Sequence, residues 1–259
     1  MKKIVVCIVL CSMLIPLPAQ TAGDPLKALV SDFISNDWPT VLVAKEKLEN
    51  TGPAALPSMI ALMNDCRIKK LDNTGDLIYP GAERFYGHGQ IIDYDIDNLC
   101  VRAGWLMEEL TFKNFGFSGV HLPADELTGF IKKNFPEYGN APDHKQATSL
   151  SEEEKRILIR SLSIEKAKKW WQSSAKQWNR LSALEQALCS TDERSQVKAL
   201  FYLRNGKTQC KGLNQRFYKT QLAKQITILS RSQTNRVSEN ARLILHDAEF
   251  EWLSIKPVN

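Results

Sequence analysis

Apolar residues recur at spacings of three and four along most of this chain, while alternating strand patterns are weak, so the fold open to it is helical. Asp24-Pro25 places an N-cap and a first-turn proline ahead of Leu26, Leu29, Val30 and Phe33. Asp37-Trp38-Pro39 opens a second helix with Val41, Leu42, Ala44 and Leu48 inward, and Asn50-Thr51-Gly52-Pro53 turns into a third, through Leu56, Met59, Ile60 and Met63. Asp97 is the expected cap of a helix carrying Leu99, Val101, Trp105, Leu106, Glu109 and Leu110. Phe112, Phe115 and Phe117 follow in a short aromatic turn, and Pro123 opens a helix to Phe135. Ser151 with Glu154 forms a capping box for the helix that carries Ile164, Ala167, Trp171, Ala175 and Trp178. Further helical stretches cover 182–189, 192–204, 213–230 and 235–253.

Residues 66–96 break this texture with Gly, Asp and aromatic residues, which predicts a long insert loop between helices. The chain thus divides into a helical domain over 23–135, a linker at 136–150 rich in Pro, Gly and charge, and a basic helical domain over 151–259. Ala44, Leu48, Gly52, Ala55-Leu56-Pro57, Ile60-Ala61-Leu62 and Asp65, followed by Asp97 and Val101-Arg102-Ala103, resemble the HEAT/armadillo class of helical repeats. The likeness runs over about residues 37–112. It implies an all-α, α-solenoid-like stack, interrupted by the insert and followed by a C-terminal helical bundle. It implies binding of proteins or peptides and no chemistry.

Met1-Lys2-Lys3, the apolar run from Ile4 to Leu17, and small Ala19 and Ala22 follow the order of a cleavable signal peptide over residues 1–22. The expectation is a periplasmic or secreted chain, with no further run long enough to span a membrane. An oxidising compartment turns Cys66, Cys100, Cys189 and Cys210 into candidate disulfides. Of three possible pairings, Cys66–Cys100 and Cys189–Cys210 are favoured because each closes a moderate loop within one half of the chain. Zinc is the rival reading, but no C-x-x-C or C-x-x-H spacing supports it. Residues 23–154 carry 12 Lys+Arg against 21 Asp+Glu, whereas residues 155–219 carry 15 against 4. The two halves either neutralise each other or present charge to a partner. Export makes nucleic acid an unsuitable one.

No H-E-x-x-H, G-x-S-x-G, P-loop or dinucleotide fingerprint is present, and His88, His121, His144 and His246 are not at ligand spacing. No metal or cofactor is called for. The insert is the candidate site. Asp93, Asp95 and Asp97 alternate and share one side of an extended chain, positioned to meet a partner's cations or a hard cation. Tyr86, His88 and Tyr94 are either contacts or packing for the loop. Trp170, beside Lys166 and Lys169, is a candidate contact or a ring lying over a neighbouring helix. The expected function is an exported, non-catalytic protein-binding module, of the kind that inhibits or gives immunity to an envelope-acting enzyme or toxin. The alternatives are an envelope hydrolase using Asp93, Asp95, Glu108 or Glu109 with His88 as acid and base, and a structural or assembly factor of the envelope.

Overall fold

The computed structural model describes residues 24–78, 90–139, 147–205 and 210–246, and within them the fold is all-α. The expected signal peptide lies outside the described residues. The chain starts with α1 (Pro25–Phe33) and α2 (Trp38–Thr51), capped by Asp24 and Asp37, whose carboxylates accept the Leu26 and Thr40 N–H at 3.0 and 3.1 Å. Gly52 ends α2 at φ +66°, a conformation that costs an L side chain energy, and Pro53 leads into α3 (Leu56–Leu62). Across the insert follows α4 (Leu99–Thr111), then a 3₁₀ turn over Phe117–His121, α5 (Ala124–Asn134) and the short α6 (Pro136–Gly139). The long α7 (Glu152–Ser174) carries the full Ser151–Glu154 capping box. The rest is α8 (Arg180–Cys189), α9 (Glu193–Asn205), α10 (Gln215–Phe217), a π turn over Tyr218–Leu222, α11 (Ala223–Leu229) and α12 (Asn235–His246).

The described part of the insert is packed down rather than looping freely. Leu71, Leu77, Ile92, Tyr94 and Ile96 are all buried in the N-terminal core. Two short parallel strands, β1 (Leu77–Ile78) and β2 (Gln90–Ile91), pair Leu77 with Gln90 and Ile78 with Ile91. Asp72 is stitched to the α1–α2 turn: its N–H donates to the Asn36 carbonyl, and its own carbonyl accepts the Trp38 N–H at 3.1 Å. The expected cap at Asp97 moves by one residue, because Asn98 is the N-cap. Asp97 instead anchors the insert, its carboxylate accepting the Leu71 N–H at 3.0 Å and its carbonyl the Lys69 N–H at 2.6 Å.

Arg102 ties these segments together. Its side chain is fully buried, with Nε donating to the Ile96 carbonyl at 2.6 Å and Nη1 to the Phe33 and Ser35 carbonyls at 3.1 and 2.7 Å. Nη2 donates to the Lys69 carbonyl at 3.1 Å. Only a guanidinium offers donors in such a planar fan. Nearby on the same helix, Gly104 lets Phe117 lie against α4, since a Cβ there would stand 2.3 Å from the ring.

The expected linker at 136–150 does not separate two cores. Ile159 and Ala167 of α7 join the N-terminal cluster, and α7 packs on α4, α5 and the Phe117–His121 turn. The second cluster is built from α8, α9, α11 and α12. Trp178 touches both clusters, and Phe112 at the end of α4, with φ +55°, plugs into the second. The core therefore changes after α7, because the polar 136–150 stretch does not stop the apolar stripe of α7 from folding back. Among the described residues no helix is long and apolar enough to cross a membrane.

Replacing Arg102 with Met leaves buried carbonyls from three stretches of chain without their donor. The expected loss is about 3–5 kcal/mol in denaturant unfolding, with Arg102→Lys recovering only part of it.

Candidate functional site

Beneath the insert, two adjacent carboxylates of α4 organise a buried charge junction. Glu108 is 0 % exposed. Its Oε1 accepts the backbone N–H of Phe115, Gly116 and Phe117 at 2.8, 2.9 and 3.3 Å. Gly116 makes this nest possible by adopting φ +104°. The other oxygen, Oε2, accepts the Tyr94 hydroxyl at 2.6 Å and stands 3.4 Å from Lys198 Nζ of α9. Lys198 donates in turn to the Tyr94 hydroxyl. Arg194, one turn earlier on α9, lies over the Tyr94 ring at 5.7 Å and 3.7 Å from Asp93. Burial depresses the Lys198 ammonium below the usual lysine range, with Glu108 opposing. Burial also lifts the Tyr94 hydroxyl well above its ordinary value, and the Glu108 charge lifts it further.

Glu109 projects about 100° further round the helix. Its Oε1 accepts the Trp105 indole N–H at 2.7 Å and its Oε2 pairs with Lys45 at 2.5 Å. Lys45 also binds Glu49 at 2.6 Å and lies 4.7 Å from the Trp105 ring centroid. Burial raises the Glu49 carboxyl. Burial pushes Glu109 the same way, but the Lys45 and Lys198 charges overcome it and hold this carboxyl below its ordinary value. Trp105 stacks on Trp38 at 6.4 Å, so the ion cluster is roofed by indole rings.

The residues singled out from sequence part company here. Tyr86 and His88 lie outside the described residues. Ile92, Tyr94 and Ile96 point inward while Asp93, Asp95 and Asp97 share the half-exposed side, as the alternation requires. Tyr94 is therefore not a surface contact: it is 4 % exposed and its hydroxyl is engaged on both sides. Asp95 is raised by burial and by neighbouring Asp97, with Arg160 and Arg156 opposing. Trp170 is half-buried, its ring 5.5 Å from that of Phe115 and under the Lys113 ammonium at 5.9 Å. Among the described residues no three His, Cys, Asp or Glu side chains gather to hold a metal ion.

The disulfides expected from the cysteine count are not formed, and all four thiols are free. Cys66 and Cys100 stand 3.0 Å apart, Sγ to Sγ, a thiol hydrogen bond and not the roughly 2.05 Å of a disulfide. Cys189 is exposed at the end of α8 whereas Cys210 is buried, and burial lifts the Cys210 thiol to about 11.

Lys45, Glu49 and Lys198 belong to the junction but did not stand out in the sequence. Lys45 with Glu49 and Trp105 with Glu109 are i,i+4 pairs, so half of this network had a local signal. Lys198 had none, because its partner lies on a distant helix. No family model matches the chain, and no curated protein or solved structure is significantly similar to it.

Glu108→Gln keeps the shape but loses the charge that Lys198 faces, so it is expected to cost about 3 kcal/mol. In Glu108→Gln/Lys198→Met the loss is smaller than the sum of the two singles, a coupling that urea melts of all four proteins measure. Glu109, held below its ordinary value, contributes stability above about pH 4.3 that disappears as pH falls through its folded value. Glu109→Gln therefore melts lower than the unaltered chain at neutral pH, and the gap narrows in thermal melts below about pH 4.

Proposed function

We propose that this chain is an exported, non-catalytic protein-binding module of the inhibitor or immunity type, directed at an envelope enzyme or a toxin. The observation that carries this reading is the commitment of the carboxylates. A hydrolase would need two of them facing substrate with separated pKa values. Glu108 is instead filled by three backbone N–H groups and a tyrosine, Glu109 is held by Lys45 and Trp105, and Asp97 holds Leu71. What the insert offers outward is the half-exposed Asp93 and Asp95, with Ile68, 77 % exposed, brought alongside by its antiparallel bridge to Asn98. An acidic strip beside an exposed aliphatic residue, held by Arg102, is a rigid contact surface that loses little entropy on binding.

In this reading residues 1–22 direct export, and oxidation then joins Cys66 to Cys100. Two thiols give up two protons and two electrons to a disulfide-bearing oxidant, which leaves as two thiols. Exposed Cys66 is the sulfur such an oxidant reaches first, and buried Cys100 resolves the mixed disulfide. The bond would close a 34-residue span, worth about 3–4 kcal/mol.

The test is capture of the tagged chain from envelope extracts of the cells that make it. A stoichiometric enzyme or toxin whose activity the chain suppresses is the expected result, with Asp93→Asn/Asp95→Asn binding it more weakly at an unchanged melting temperature. Cleavage of peptidoglycan or ester substrates by the purified chain would overturn the proposal. Non-reducing peptide mapping of exported protein is expected to find the Cys66–Cys100 cross-link.

A further inference from the structure

Charge is distributed very differently over the last helices. Residues 210–246 hold Lys211, Arg216, Lys219, Lys224, Arg231, Arg236 and Arg242, and the one acid among them is Glu239, so a single carboxylate faces seven cations. All seven cations are exposed. Among the described residues none of them forms an ion pair, whereas Asp93, Glu108 and Glu109 of the acidic half are paired with Arg194, Lys198 and Lys45. The acidic half is thus partly neutralised by such pairs, while the seven cations of this end keep their charge.

Three of these cations, Lys224, Arg231 and Arg242, share a surface. On α11 the buried side is Leu222, Ile226 and Leu229, and the opposite side presents Lys224, Ile228 and Arg231 at helical spacing. Alpha-helix α12 packs on α11, and Arg242 donates from Nε to the Ser230 carbonyl at 3.1 Å, which sets it beside Arg231. Aliphatic side chains lie between these charges: Ile228 is 54 % exposed, and Leu243 and Leu245 of α12 are exposed as well. Among the described residues 210–246 the rings of Phe217 and Tyr218 are half-buried, so α11 and α12 themselves present cations and aliphatics, and the exposed ring nearest in the packing is the single Phe201 of α9.

We infer that the α11–α12 face docks on an anionic phospholipid surface. Clustered Lys and Arg on a helical face draw in the negative surface potential of such a bilayer. Isolated aliphatic residues among them enter the boundary between headgroups and acyl chains. A single-stranded nucleic acid would call for a row of exposed rings on which successive bases stack, and an acidic protein would need no exposed aliphatic residue such as Ile228 among the cations. The inference is independent of the partner that the insert takes.

The test is co-sedimentation of the full chain with phosphatidylcholine vesicles that contain phosphatidylglycerol, and with vesicles of phosphatidylcholine alone. The second arm measures whatever the apolar N-terminus contributes. The expected result is tighter binding to the anionic vesicles than to phosphatidylcholine alone, a difference abolished by high salt. Lys224→Gln/Arg231→Gln weakens partitioning roughly 30-fold at an unchanged melting temperature, since each cation near the surface is worth about five-fold. Ile228→Ser weakens vesicle binding without altering retention on polyglutamate. Equal binding to both vesicle types, indifference to salt, or tighter binding to polyglutamate or duplex DNA than to the anionic vesicles would each overturn the inference. The salt response of the unaltered chain keeps the test valid if a variant folds poorly.

Discussion

The guanidinium of Arg102 reaches backbone carbonyls at the end of α1, in the first stretch of the insert and just ahead of its own helix. These are the places where an α-helical fold is weakest, because chain leaving a helix carries carbonyls with no intrahelical partner. Buried without donors, each would oppose folding by an amount comparable to a lost hydrogen bond. One arginine answers several of them at once. The insert can therefore pass through the core between α3 and α4 while contributing Leu71, Tyr94 and Ile96 to it.

The two cores meet through charge and aromatic rings as well as apolar packing. Phe112 leaves α4 to enter the second cluster, where its ring lies 5.1 Å from that of Tyr202 and under the Arg180 guanidinium. Lys198 reaches back from α9 to Glu108 and Tyr94, and Arg194 to Asp93. A buried pair of this kind contributes little net stability against an apolar substitute, yet is costly to break from one side. It fixes how one half sits on the other. Part of the charge asymmetry between the halves is neutralised at this joint. The rest stays on the surface of the basic half, including Lys224, Arg231, Arg236 and Arg242 along α11 and α12.

Much of the helical layout was legible in the sequence because caps and periodicity are local. Asp24, Asp37 and the Ser151–Glu154 box start helices where their side chains can reach the backbone N–H groups two or three residues on. The candidate site was legible only in part. The alternation of Asp93, Asp95 and Asp97 predicts the shared side that they occupy. It does not say that Tyr94 is buried, which depends on Glu108 and Lys198 arriving from two other helices. Likewise the even number of cysteines suggests staples. The thiol contact of Cys66 and Cys100, and the separation of exposed Cys189 from buried Cys210, are matters of position in space.

Residue order alone determined the helical class, most helix starts, the polar–apolar alternation of the insert and the opposed charge of the two halves, since each arises from neighbours a few positions apart. Tertiary structure alone decided that α7 joins the first core, that the insert is packed rather than free, and that Arg102 and Glu108 are internal ties. The physical reason is that burial of a charge is tolerable only where its partners converge. Those partners come from positions tens of residues away, so no local pattern announces them.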